Sequence, residues 1–118
     1  TLAHGMEHPA SGLKDIVHGK GLAALTPVII EASYKGEHFK FAKIARIFGG
    51  ITADDLAPKI RTLLKNLDLD VKLSDLGIEE KDIPWMAENC MKVSAASIAN
   101  NPVVFTQEEI AEIYKKAM

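Results

Sequence analysis

The sequence predicts an all-α fold, a bundle of five to six helices joined by short loops. Three observations predict it. Apolar residues recur at helical spacing along almost the whole chain. Capping-box signatures, a Thr followed three residues later by Asp or Glu, stand directly ahead of two of those apolar stripes. Almost nothing reads as a strand.

The helices can be placed in order. Residues 2–12 read as a short helix ended by Gly12, and Pro9, which has no N–H to donate, should bend the turn around Gly5. A second helix, 19–33, is apolar on nearly all sides and so is expected to be buried, with Pro27 inside it leaving the Ala23 carbonyl without its helical partner. Lys35-Gly36 breaks the chain before a third helix, 37–48, in which Phe41, Ile44, Ala45 and Phe48 fall on one face and Gly49-Gly50 supply the stop.

Thr52-Ala53-Asp54-Asp55 has the form of a capping box. It opens an amphipathic helix striped by Leu56, Ile60, Leu63, Leu64 and Leu67, with Lys59, Lys65 and Asn66 towards water. Residues 69–76 form a connection ending in a Ser-Asp-Leu-Gly turn. Asp82 is placed to cap a fifth helix with Pro84 in its first turn, and Ile83, Met86, Ala87, Cys90 and Val93 are its inward face. Asn100-Asn101-Pro102 closes it. Thr106-Gln107-Glu108-Glu109 is a full capping box for a last helix that buries Ile110, Ile113 and Tyr114. Trp85 and the phenylalanines stand at core spacing.

At 118 residues the chain suffices for one helical domain, 1–118, and is too short to suggest two. Its 47% apolar and 25% charged residues are those of an ordinary globular protein. A net charge of −2 with scattered lysines gives no electrostatic basis for binding nucleic acid. The one cysteine, Cys90, excludes an internal disulfide and, with no secretory signal in view, fits a cytoplasmic protein. Residues 22–32, the longest apolar run, are far short of the roughly 20 needed to span a bilayer. The chain begins at Thr1 with its richest motif pressed against that residue, and is expected to be a piece of a longer polypeptide.

That motif is His4-Gly5-Met6-Glu7-His8-Pro9, followed by His18-Gly19. His4 and His8 share a helix face about one turn apart, and His18 follows across a short connection. Such a trio can converge on a divalent metal or a proton relay, because neutral imidazole is the commonest metal ligand and a ready proton carrier. A histidine pair at this spacing is also common as plain surface. Glu7 directly precedes the second histidine, so the His-Glu-x-x-His register of a metalloprotease is missing. His38 sits on a charged face and reads as solvated, and Cys90 as a small buried apolar group. No glycine-rich loop follows a strand, so the chain carries no nucleotide site of its own.

The same residues resemble a known family. His4-Gly5-Met6-Glu7-His8-Pro9, the step to His18-Gly19 and the Leu-Ala-x-Leu-x-Pro run of residues 22–27 are similar to the iron-containing (group III) alcohol dehydrogenases. The likeness continues through Ala42-Lys43-Ile44-Ala45 with Phe48-Gly49, through residues 73–78, and through Asn101-Pro102 with Thr106 and Glu109. The resemblance implies the C-terminal helical domain of such a dehydroquinate synthase-like enzyme, with an α/β domain for NAD or NADP lying in sequence that this chain lacks. It implies His4 and His18 as two of four metal ligands, the others being an aspartate and a histidine from an earlier helix. It implies that His8 stands beside the metal and serves proton transfer or substrate positioning. Histidine and carboxylate donors suit Fe²⁺ and Zn²⁺ alike, and the resemblance favours Fe²⁺. Val103 stands where the family often has arginine, which leaves the subfamily open.

The expected function is therefore the metal-binding domain of an NAD(P)-dependent alcohol dehydrogenase for a primary alcohol or its aldehyde. A homo-oligomer is expected, and this chain alone is expected to be inactive. Two readings stand beside it: a stand-alone helical interaction module, and a metal-dependent hydrolase or lyase with Glu7 as its acidic base.

Overall fold

The computed structural model describes residues 1–118 and contains no strand. Its α-helices are α1 (Leu2–Lys14), α2 (His18–Ser33), α3 (His38–Ile47), α4 (Leu56–Asn66), α5 (Ile83–Val93), α6 (Ala95–Ala99) and α7 (Gln107–Lys116), with four short 3₁₀ turns between them. The count exceeds the sequence reading because the fifth predicted helix breaks at Ser94 into α5 and the five-residue α6.

One apolar core joins α1, α2, α5 and α7. Met6, Leu25, Met86, Ile110 and Tyr114 are all completely buried in it. Each such side chain contributes about 1.5–3 kcal/mol by leaving water, which makes this four-helix contact the main stabilising feature. α3 and α4 lie to one side, α4 against α2, and give a flat molecule of 37 × 31 × 17 Å. No helix is long and apolar enough to cross a membrane.

The predicted helix starts hold where a side chain supplies the missing acceptor. Thr52 and Asp55 form their reciprocal box. Thr106 and Glu109 form another, with Glu109 N–H on the Thr106 hydroxyl at 3.3 Å and Thr106 N–H on the Glu109 carboxylate at 2.8 Å. Asp82 differs. Its carboxylate accepts the Glu79 N–H at 2.9 Å, so it closes a box on the preceding 3₁₀ turn and does not cap α5.

Other departures have packing causes. α1 runs through Gly12 to Lys14 and stops where Asp15 turns left-handed (φ 51°), its N–H returning to the Ser11 carbonyl. The predicted inner face of α3 is only partly covered. Ala45 is buried, but Ile44 and Phe48 are exposed, because α3 rests mainly on the 53–55 turn and its outer side meets nothing in the chain. Leu67 at the end of α4 and Val93 at the end of α5 are exposed for the same reason. Trp85 is 46% and Phe39 71% exposed, so core spacing misplaced both, and only Phe105 among the phenylalanines is buried. The free apolar surface lies chiefly on α3, α4 and the turn between them rather than along α1.

Candidate metal centre

The corner carrying the histidines begins with a proline. Pro9 has no N–H, so the Gly5 carbonyl loses its partner inside α1. The Ser94 hydroxyl donates to that carbonyl at 3.3 Å. Ser94 can come this close only because residue 5 is glycine, since a Cβ there would lie 2.8 Å from the Ser94 Cβ. One residue on, the buried Tyr114 hydroxyl donates to the Met6 carbonyl at 2.5 Å. Burial, with the Cys90 thiol and Glu7 adding to it, pushes the Tyr114 phenol far above its ordinary range, so it remains a donor. The first turns of α1 are thus pinned from the α5–α6 break and from α7, and these turns carry His4 and His8.

His18 arrives from the other side as the first residue of α2, after the left-handed Asp15 and the extended Val17 reverse the chain. The three imidazoles then converge. Ring centroids are 6.1 Å apart for His4 and His8, 5.3 Å for His4 and His18, and 5.8 Å for His8 and His18. All three residues are exposed. His38, on α3, stays apart and exposed as expected, edge-on to Tyr34 at 5.5 Å.

Two of the rings are already oriented. His4 Nδ1 meets the Thr1 hydroxyl at 2.8 Å, and His18 Nδ1 donates to the Glu7 carboxylate. For His18 the carboxylate partner holds the proton on Nδ1 and leaves the Nε2 lone pair free for a divalent cation, and His4 Nε2 is free in the same way when the Thr1 hydroxyl accepts from Nδ1. Donor atoms of Glu7, His8 and His18 all lie within 4.8 Å of one another. That donor group holds His8 as well as His18, while His4 lies outside it with its ring 5.3 Å from that of His18. These donors fit a divalent ion of the Fe²⁺ or Zn²⁺ kind.

Glu7 is not an available acid–base group. It is completely buried, and its two oxygens accept from the Ser11 hydroxyl and from His18. Sequence reasoning weighed Glu7 only as a general base and missed Ser11, Gly21 and Ser94. The signal for Ser11 was present, since it follows Glu7 by four residues and so stands over it on the same helix. Nothing local announces Ser94, which is distant in sequence.

The imidazoles that α1 and the head of α2 bring together are donors of the type a divalent ion accepts. All of residues 1–118 match the Fe-containing alcohol dehydrogenase family, C-terminal. The chain belongs to that family, as its C-terminal domain. It is 34% identical to 1,3-propanediol dehydrogenase of Klebsiella pneumoniae over 97% of its own length and 31% of the relative's. It is 35% identical to NADH-dependent butanol dehydrogenase B of Clostridium acetobutylicum over 98% of its length and 32% of the relative's. Among solved structures, an archaeal halo-thermophilic alcohol dehydrogenase from a Red Sea brine pool superposes with a TM-score of 0.91 at 34% identity, covering all of this chain and 32% of that one. The chain thus spans about a third of the length of the relatives it matches.

Proposed function

We propose that residues 1–118 form one metal-binding domain of a longer NAD(P)-dependent alcohol dehydrogenase. Its reaction is hydride transfer between a primary alcohol, or the corresponding aldehyde, and a nicotinamide. The carrying observation is the convergence of His4, His8 and His18 with the Nδ1 atoms of His4 and His18 already engaged. The names of the relatives, propanediol and butanol dehydrogenases, support an alcohol or aldehyde substrate.

His4 and His18 are assigned as metal ligands through Nε2, completed by an aspartate and a histidine from the part of the protein outside this chain. Fe²⁺ is the favoured ion, with Zn²⁺ able to use the same donors. When bound, such an ion would supply Lewis acidity towards an alcohol or carbonyl oxygen, and a nicotinamide held mainly by the other domain would supply the hydride chemistry. His8 contributes a ring nitrogen on the same side of α1 as His4, placed to position the substrate hydroxyl and to hold its proton.

The burial of Glu7 argues against a hydrolase that needs it as a base. A cytoplasmic location and a homo-oligomer complete the proposal, and the exposed Ile47 and Ile51 give the oligomer an apolar face to use. Metal analysis and alcohol oxidation assays on the full-length enzyme test the functional reading. A metal-free, fully active preparation would overturn it.

A further inference from the structure

Within this reading of the metal centre, Glu7 has a distinct task. It is an acidic residue with no exposure at all, on a helix whose neighbouring histidines are exposed. Burying a carboxylate is costly unless hydrogen bonds replace its water. Here the Ser11 hydroxyl serves Oε1 and the His18 imidazole serves Oε2. The opposite wall is α2, where Gly21 leaves the necessary space. A Cβ on Gly21 would lie 2.8 Å from Glu7 Cγ and 2.9 Å from Glu7 Oε1, with Ile16 Cδ1 at 3.0 Å. The pocket thus accommodates a carboxylate through three separate features of sequence: Ser11 one turn along α1, Gly21 one turn along α2, and His18 at the head of α2.

We propose that Glu7 is a positioning residue that fixes the ring orientation and tautomer of His18, holding the proton on Nδ1 so that Nε2 is the nitrogen left to take a metal. Ser11 locks the second carboxylate oxygen, which stops the carboxylate from rotating away. Gly21 keeps the carboxylate within reach of the ring. A histidine ligand whose other nitrogen is held in this way binds metal more tightly, because neither the tautomer nor the rotamer has to be selected on binding. Loss of such a partner typically weakens metal binding by about 10–100-fold.

The proposal rests on His18 being a metal ligand, and the test separates the two claims. Zn²⁺ affinity is measured by chelator competition on the full-length enzyme and its Glu7→Leu, Glu7→Gln, Gly21→Ala and His18→Ala variants, with each fold checked by circular dichroism. Glu7→Leu removes the acceptor and should weaken Zn²⁺ binding about 10–100-fold. Glu7→Gln keeps an oxygen acceptor of the same shape and should recover most of that loss. Gly21→Ala leaves Glu7 in place but pushes it from the ring, and should reproduce the defect. If His18→Ala abolishes binding while folded Glu7→Leu and Gly21→Ala bind as tightly as the parent, the positioning role is wrong and the ligand assignment stands. If His18→Ala itself binds normally, the ligand assignment fails. Should Glu7→Leu not fold, Gly21→Ala and Glu7→Gln decide the matter alone.

Discussion

The Ser94 hydroxyl donates to the Gly5 carbonyl at 3.3 Å, supplying the bond that Pro9 cannot. The bond that α1 lacks is therefore supplied from 89 residues further along the chain, at the break between α5 and α6. Ser94→Ala should destabilise the protein by about 1–3 kcal/mol, since the carbonyl would be left buried and unpaired. Gly5→Ala should cost more, because its Cβ would meet Ser94 at 2.8 Å. Thermal denaturation of both variants checks this, and unchanged midpoints would remove the pinning contact from consideration.

Acid stability should depend on two turn carboxylates. The Thr52 and Ile51 backbone N–H groups hold Asp55 below its ordinary value of 3.8, and the Glu79 N–H does the same for Asp82. A lowered folded pKa means that the unfolded chain takes up protons first as pH falls. Stability from these groups is thus complete above about pH 5 and lost progressively below it. The melting midpoint should be flat from neutral pH to about 5 and then drop, with Asp82→Asn shallower in that limb than the parent.

Cys90 marks the alkaline side. It is completely buried, and that burial raises its thiol from 9.0 to about 11. The unfolded thiol ionises first as pH rises, so stability present below pH 9 falls away between 9 and 11. Cys90→Ala should flatten part of that decline. In the native protein at neutral pH an aromatic disulfide reagent should label nothing until denaturant is added.

The fold class, six of the helix positions and both threonine-led capping boxes were legible in the sequence because they rest on local chemistry. Periodicity at 3.6 residues and a Thr three residues before an acid each declare themselves within a single turn or two. Which apolar face is covered was less legible. Phe39, Phe48 and Trp85 have core-like spacing yet remain exposed, since burial depends on what lies across from them. The site divided in the same way. The three histidines announced themselves by type and spacing, while Glu7 gained its meaning only when α2 folded back and set Gly21 and His18 against it.

This chain by itself should bind metal weakly. On the assignment proposed, it supplies two of four ligands, and affinity for a divalent ion depends steeply on ligand number and geometry. Calorimetry with Fe²⁺ or Zn²⁺ on residues 1–118 should show no stoichiometric sub-micromolar binding, and no alcohol oxidation should accompany it. Tight binding by the isolated chain would mean that His8, or a second copy, completes the site.

Metal content and turnover measured on the same samples of full-length His4→Ala, His8→Ala and His18→Ala test the central claim most directly. His4→Ala and His18→Ala should lose metal and activity together. His8→Ala should keep most of its metal and turn over about 10²–10⁴-fold more slowly, as expected for loss of an acid–base group. A metal-free His8→Ala beside a metal-replete His4→Ala would exchange their roles. Three variants that all remain metal-replete and active would contradict a metal centre at this corner.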